Sequence, residues 1–333
     1  MLILLSCGPA VVDLGGALPA EVHDTPGGAL DSEVEPPDDS APDSQGGDTG
    51  EAEEETGEQD TDAGLDTGAT SAPVVVGVMA GDEHSCAWYS DGSSRCWGAD
   101  DEGQASPPAF AFDSMSGGSE HTCGLVAGAV RCFGSDSKDQ STPPAGAALE
   151  VDAGDETTCA LTTSGTLRCW GLSDGGLTSP PEGTFSQVSL GETHGCSVSS
   201  SGSVECWGTA SDNDGEDEDP TEEPAGLFHA VAAGGDFTCG LRQGGGLHCW
   251  GSIDDPPTGA YVALSAGSEH ACAITAAGTL ACWGDDEHGQ SSSPTGSYKS
   301  VDLGGDHGCA LRNDDVVLCW GQDDRGQSTV PEP

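Results

Sequence analysis

Fourteen of the 15 cysteines in this 333-residue chain fall into seven close pairs. They are Cys86 with Cys96, Cys123 with Cys132, Cys159 with Cys169, Cys196 with Cys206, Cys239 with Cys249, Cys272 with Cys282, and Cys309 with Cys319. Six pairs are ten residues apart; the second is nine apart, with Val-Ala-Gly-Ala in place of a longer turn. The first cysteines of successive pairs are separated by 37, 36, 37, 43, 33 and 37 residues. A near-constant period in seven copies specifies a repeat architecture, in which one unit buries its apolar face only by stacking on the next.

The third copy, CALTTSGTLRC, shows what the pairs are. Cys159, Leu161, Leu167 and Cys169 share parity around Thr163-Ser164-Gly165. Alternation of period two about a turn containing Gly is a hairpin signature, with Gly in the left-handed position of a three-residue loop and bulge. That register sets Cys159 opposite Cys169. A non-hydrogen-bonded antiparallel pair holds its Cα atoms about 4.5 Å apart, within reach of a disulfide.

A metal reading competes. Structural zinc sites bring ligands in close C-x₂₋₄-C pairs, two pairs to a site, whereas each hairpin here offers two sulfurs. A His precedes the first Cys by two in five copies (His84, His121, His194, His270, His307), but Thr157 and Phe237 hold the position in the others. A residue that Phe can replace is one that packs or hydrogen-bonds. No C-x-x-C supports redox catalysis. Disulfides are the favoured reading, and they imply an oxidising compartment.

The sixth copy displays the whole unit: YVALSAGSEHACAITAAGTLACWGDDEHGQSSSPTG. A strand runs from Val262 to a Gly turn at Gly267, a second from His270 to Thr275, and a third ends in Cys282-Trp283-Gly284. A polar Gly, Ser and Pro loop leads to the next unit. Three strands per unit with no helix signal predict an all-β, seven-bladed β-propeller of short antiparallel blades. A β-solenoid is the open alternative, disfavoured by tight hairpins in every unit. An aromatic anchor recurs at Trp97, Phe133, Trp170, Trp207, Trp250, Trp283 and Trp320. These rings are expected to pack between blades, since Trp buries a large area. Exposed carbohydrate platforms are the other reading.

The pattern G-x-x-H-x-C-A-L-x-x-x-G-x-L-x-C-W-G-x-x-x-x-G-Q resembles the repeat of the regulator of chromosome condensation, and of the bacterial β-lactamase inhibitor propellers built on the same unit. Gly81-Asp82-Glu83-His84 with Cys96-Trp97-Gly98 and Gly103-Gln104, and Gly267 to Gln290, carry it best. The terminal Gly-Gln is missing in copies three to five, and copy two has Asp139-Gln140. The resemblance implies seven blades over residues 73–333 and, from the family, guanine-nucleotide exchange as an alternative activity. Fold membership alone fixes no function.

Composition bounds the partners. Residues 8–72 hold 18 Asp and Glu, no Lys or Arg and no aromatic residue. A segment of that kind buries too little apolar surface to offset its conformational entropy, so it is expected to be a disordered acidic tether. The net charge of -50 argues against nucleic acid, whose phosphates need clustered Lys and Arg, and favours basic partners or divalent cations. Residues 1–7, MLILLSC, resemble the end of a bacterial lipoprotein signal, though without a basic n-region and with a short apolar stretch. The resemblance implies lipid on Cys7, with Gly8 pointing to the outer membrane, and places the protein in the cell envelope or medium. Membrane contact is then through that anchor alone, and a monomer is expected.

No catalytic set stands out, and no cofactor is expected. Ser135 and Lys138 fit S-x-x-K, but in a polar loop. The fourth interblade loop, SDNDGEDEDPTEEP, is about six residues longer than the norm and carries Asp212, Asp214, Glu216, Asp217, Glu218 and Asp219. Asp212-x-Asp214 resembles part of a calcium loop without its following Gly position or distal Glu. A solvated loop, weak Ca²⁺ binding and a contact for a basic partner are the three readings. Asp100, Asp101, Asp285, Asp286, Asp323 and Asp324 follow other W-G pairs and are expected on the same rim. The leading function is a non-enzymatic surface module that binds an extracellular protein; an enzyme or adhesin acting on polysaccharide is a further alternative.

Overall fold

The computed structural model describes residues 72–209, 219–222 and 224–332. Cys7, the signal remnant, the tether as far as residue 71, and Asp212, Asp214, Glu216, Asp217 and Glu218 lie outside the described residues.

Twenty-one strands form seven three-stranded antiparallel sheets, each made of three consecutive strands. Blade 1 comprises Val75–Ala80, His84–Tyr89 and Ser94–Gly98; blade 2, Ser114–Gly117, His121–Val126 and Ala129–Gly134. Blade 3 comprises Ala148–Ala153, Thr157–Thr162 and Leu167–Gly171; blade 4, Phe185–Leu190, His194–Ser199 and Val204–Gly208. Blade 5 comprises Phe228–Ala233, Phe237–Arg242 and Leu247–Gly251; blade 6, Tyr261–Ala266, His270–Thr275 and Leu280–Gly284; blade 7, Tyr298–Leu303, His307–Arg312 and Val317–Gly321. This is the all-β, seven-bladed propeller that the repeat predicts. The first strand of each blade lines a central channel.

The hairpin parity of the sequence is the register of the structure. Cys159 pairs with Cys169 and Leu161 with Leu167. The Thr162 amide donates to the Thr166 carbonyl at 2.8 Å and the Gly165 amide to the Thr162 carbonyl at 2.9 Å, with Gly165 at φ 82°. Counting back from that hydrogen-bonded pair, the cysteines occupy a non-hydrogen-bonded pair, where side chains approach most closely. Blade 2 loses one loop residue, and a two-residue turn closes between Val126 and Ala129, with Ala127 and Gly128 at φ 50° and 78°. Positive φ at both central residues is the type I′ geometry that suits a tight hairpin. The pair of Cys123 and Cys132 therefore keeps its register at a separation of nine.

All seven pairs are disulfides, with Cα atoms 4.0–4.1 Å apart. In blades 1 to 3 they join Cys86 to Cys96, Cys123 to Cys132 and Cys159 to Cys169. In blades 4 and 5 they join Cys196 to Cys206 and Cys239 to Cys249. In blades 6 and 7 they join Cys272 to Cys282 and Cys309 to Cys319. The first cysteine of each pair is fully buried on the middle strand, while Cys206, Cys249 and Cys319 on the third strands are half-buried. That difference follows from position, since the third strand lies at the outer edge of its sheet.

The apolar interior is divided among the seams. Seven buried clusters each join one pair of neighbouring blades, and the cluster of Val78, Ala87, Trp97, Cys309 and Leu311 closes the ring between blades 7 and 1. The anchor rings lie in these seams: Trp207 packs with Leu161 of blade 3 and Leu177 of the loop after it, and Trp283 with Phe237 and Leu241 of blade 5. That is core packing, as in other solenoid-like arrays where each unit contacts its neighbours.

A relay of hydrogen bonds runs through several seams. At the blade 2–3 seam, the indole N–H of Trp170 donates to the Gln140 carbonyl at 2.8 Å, and so does the Thr158 hydroxyl at 3.1 Å. Having given its proton there, the Thr158 oxygen accepts from Nε2 of His121 at 2.8 Å. The blade 4–5 seam repeats this with Trp250, Pro220, Thr238 and His194, and the blade 7–1 seam with Trp97, Gln327, Ser85 and His307. The blade 1–2 seam has His84, Thr122 and Gln104, but Phe133 has no N–H to add. These hydroxyl roles fix the histidines as Nε2–H tautomers, with Nδ1 of each enclosed and bare.

Two seams keep only the indole bond of this relay, Trp207 to Leu177 and Trp320 to Gln290. At the blade 5–6 seam Trp283 Nε1 is buried without a partner. Trp170→Phe is therefore expected to cost about 1 kcal/mol more than Trp283→Phe in urea denaturation, since only the former loses a hydrogen bond.

Candidate functional site

One end of the propeller is defined by two sets of loops. The first-to-second strand turns surround the channel mouth. The loops leaving each third strand begin beside them, because an amide there donates to a turn carbonyl in all seven blades, as from Ala99 to Glu83 and from Asp285 to Glu269. Each turn opens with a glycine: Gly81, Gly118, Gly154, Gly191, Gly234, Gly267 and Gly304. A Cβ on any of them would sit 1.9–2.7 Å from the carbonyl oxygen of its counterpart in the next blade. The seven glycines thus form a closed ring at backbone contact. Gly304→Ala, which would place a methyl 1.9 Å from the Gly81 oxygen, is expected to destabilise the fold by about 1–3 kcal/mol on chemical denaturation.

Each turn carries an acidic residue one or two places after its glycine. Asp82, Asp155 and Glu192 line the channel mouth, and Glu83, Glu120, Glu156, Asp236, Glu269 and Asp306 occupy the next position of six turns. Deeper in, Glu150, Asp152 and Asp302 project from the first strands of blades 3 and 7. The channel encloses about 300 Å³, and among the described residues no Lys, Arg or His lines it.

Two of the deep carboxylates also bridge blades. Asp152 accepts from the Ser116 hydroxyl of blade 2 at 3.0 Å and from the Leu190 amide of blade 4 at 2.7 Å. Asp302 accepts from Ser265 of blade 6 at 3.3 Å and from the Ala80 amide of blade 1 at 2.9 Å.

Burial raises the Asp152 pKa to about 6 and that of Asp302 to about 7, despite these bonds. Asp82 is raised to about 6 by burial and then by Glu83, Glu192, Asp155 and Asp306, so carboxylates across the mouth sense one another. Glu150 is also raised, by burial and by Asp152. Removing one such charge relieves the folded state alone. Asp302→Asn is thus expected to raise the melting temperature at pH 8, by the equivalent of at least about 1 kcal/mol, and to lose about half of that advantage by about pH 5.5.

Among the acids singled out in the loops, several are occupied. Asp100 accepts from the Ala105 amide and Ser106 hydroxyl, Asp286 from Ser291 and Ser292, and Asp323 from Ser328 and Thr329. These carboxylates close their own loops. Asp101 instead pairs with Arg325 at 3.4 Å, across the blade 7–1 seam.

The Gln that ends the repeat is buried, and its side-chain oxygen accepts a loop amide two residues back, as from Glu102 to Gln104 at 3.0 Å. Asp219 of the long acidic loop is exposed and accepts from the amide and hydroxyl of Thr221. His84, His121, His194 and His307 contact hydroxyls of neighbouring blades, whereas both ring nitrogens of His270 are buried without a partner. Among the described residues no group of three or more His, Cys, Asp and Glu is placed to hold a metal ion.

Five of the seven repeats, residues 75–104, 149–176, 228–252, 261–290 and 298–327, match the model of the Regulator of chromosome condensation (RCC1) repeat. No curated protein matches the sequence. Among solved structures, the CRINKLY WD40 ectodomain of the Arabidopsis thaliana receptor kinase ACR4 is 24% identical with a TM-score of 0.63, covering 75% of this chain and 98% of that one. The ectodomain of the Physcomitrella patens receptor kinase CR4 is 22% identical with a TM-score of 0.63, over 75% and 74% of the two chains. Prp20p from Saccharomyces cerevisiae, whose binding to Gsp1p and histones has been described, is 14% identical with a TM-score of 0.59, over 72% and 84%. These likenesses establish an RCC1-like propeller fold.

Proposed function

We propose that this protein is a non-enzymatic interaction module, exported to the bacterial cell envelope, that engages a basic protein partner on the acidic end of its propeller. One observation carries the reading: carboxylates from several blades converge on a channel that, among the described residues, no Lys, Arg or His lines, while Arg325 reaches the rim at Glu83. Such a surface focuses a negative potential and favours cationic partners. Seven cross-strand disulfides accord with an oxidising compartment, and the acidic stretch 8–72 would serve as a tether behind a lipid anchor on Cys7. Asp212, Asp214, Glu216, Asp217, Glu218 and Asp219 would extend the same charge from the fourth interblade loop, or hold Ca²⁺ weakly.

Exchange-factor activity on a small GTPase is the alternative that the repeat family supports, and the disulfides weigh against a cytoplasmic partner. The test is cross-linking of the purified protein in envelope extracts, beside a variant with Glu83, Glu120, Glu156 and Glu269 changed to Gln. A partner that cross-links at least tenfold less to the variant supports the proposal. Equal cross-linking, or no partner for either protein, overturns it.

A further inference from the structure

We infer that the joint between blades 5 and 6 is where the propeller ring flexes. The inference goes beyond the interaction reading and does not depend on it. Every seam is bridged by an apolar cluster, but directional bonds are distributed unevenly. Between blades 4 and 5 the full His, hydroxyl, carbonyl and indole relay is joined by Gln187, which bonds the Val231 amide at 2.8 Å and the Val231 carbonyl at 2.7 Å. Between blades 7 and 1 the relay is joined by Asp302 and by ion pairs of Arg325 to Glu83 and Asp101.

Across the blade 5–6 seam the relay is absent, and the bonds found are backbone to backbone: the Gly235 amide to the Ser268 carbonyl at 3.0 Å, and the Tyr261 amide to the Gly245 carbonyl at 2.7 Å, an anchor that four other seams share. Three departures in sequence account for the missing relay. Phe237 stands where the relay has its histidine, and Ala271 where it has its hydroxyl. The interval across this junction is the shortest, 33 residues between first cysteines, so the shortened loop brings no carbonyl to Trp283 Nε1.

What the core side chains add is apolar contact among Phe237, Leu241, Tyr261, Leu264 and Trp283. Apolar contact is non-directional and tolerates a change of angle that a hydrogen-bonded relay resists. Above the seam the short loop leaves an open groove of about 740 Å³. Asp236 and Asp254 stand on its blade 5 bank, and Glu269, Asp285 and Asp286 on its blade 6 bank. Like charges on the two banks favour separation.

The ring supplies its own control. Gly235 and Gly305 are both buried, both lie in the tripeptide Gly-Gly-Asp, and each donates its amide to the next blade, Gly305 to the Asp82 carbonyl at 3.2 Å. Their intrinsic exchange rates are therefore matched. Amide hydrogen exchange by NMR on the intact, disulfide-bonded protein, well below its unfolding transition, reads the opening of each seam separately. The Gly235 amide is expected to exchange at least tenfold faster than that of Gly305; equal rates, or a slower Gly235, would overturn the inference. Ser85→Ala removes the hydroxyl of the blade 7–1 relay and is expected to accelerate Gly305 at least threefold while leaving Gly235 unchanged. If Gly305 does not respond, the relays do not govern seam opening and the inference fails.

Discussion

Complete reduction of the seven disulfides is expected to abolish the cooperative thermal transition, leaving a chain without near-UV circular dichroism. Each disulfide closes a loop of about ten residues, worth about 2.5–3 kcal/mol in the chain-entropy model. The seven do not add simply, because each blade's unfolded state is already restricted by its neighbours. Even half their formal sum is comparable with the net stability of a typical domain, about 5–15 kcal/mol. The apolar alternative is thin here: several seam clusters are built mostly from Ala, Cys and Val, such as Cys196, Val198, Val204 and Val231 around a single Phe228. Calorimetry with and without reductant, at constant pH, checks this. A reduced protein melting within about 5 °C of the oxidised one, a shift worth roughly 1–2 kcal/mol, would show that the seams alone carry the fold. A graded version is available in Cys159→Ala with Cys169→Ala, which should cost about 2–3 kcal/mol.

Much of this architecture is visible in the chain itself because it depends on local parity. The pairing of Cys159 with Cys169 follows from two facts, alternation and a Gly in the turn, and the shorter second copy obeys the same rule through a different turn. The same parity sets Cys196 opposite Cys206, Cys239 opposite Cys249 and Cys309 opposite Cys319, although the residues between them differ. The seam position of the anchor rings also follows, since a ring fixed in every copy must pack on something that every copy has.

What the sequence conceals is contact between copies. Each relay histidine reaches a hydroxyl in the following blade, such as Thr122, Thr158, Thr238 or Ser85, so its partner lies one full period away. The signal is present but faint: the two copies lacking the histidine, at Thr157 and Phe237, are followed by copies with Gly195 and Ala271 in place of the hydroxyl. His270 breaks the rule, because Gly308 stands at that position in blade 7.

The channel carboxylates are hidden for a similar reason. Asp152 and Asp302 stand seven residues before the first cysteines of copies three and seven, and only ring closure brings both into one channel. Ser116 and Ser265, at the same position one blade earlier, are their hydrogen-bond partners. The loop acids mislead in the other direction. A carboxylate at Asp100, Asp286 or Asp323 reads as free surface charge, yet it is committed to the amide and hydroxyl that follow it by five and six residues.

Acid is expected to unfold the protein between about pH 5.5 and 4, although acidification also relieves its large negative charge. The five relay-position histidines are fully buried, and burial lowers their pKa to about 3 for His84 and His307 and to about 4 for His121, His194 and His270. Unfolded, each takes a proton near pH 6.5; folded, each refuses it. The stability they contribute is therefore complete above pH 6.5 and is lost as pH falls towards the folded values. By pH 5 each costs about 2 kcal/mol, about 10 for the five.

The channel acids work against this loss. Their folded pKa values are raised, so their ionisation penalty is absent below the unfolded value near 3.8 and grows as pH rises through about 6 for Asp152 and 7 for Asp302. Going from pH 7 to 5 they return about 4 kcal/mol together. The histidines prevail by several kcal/mol, which is most of a typical net stability. The chain itself supplies the control, since blades 5 and 6 hold Phe237 and Ala271 at the relay positions. Copying that pair as His194→Phe with Thr238→Ala should move the acid midpoint downward and remove about one proton from the cooperativity of the transition, read by tryptophan fluorescence. Native fluorescence persisting to pH 3.5 in the unaltered protein would show that the enclosed Nδ1 atoms find protons at little cost. An unchanged midpoint in the double variant would show that acid acts through groups other than these histidines.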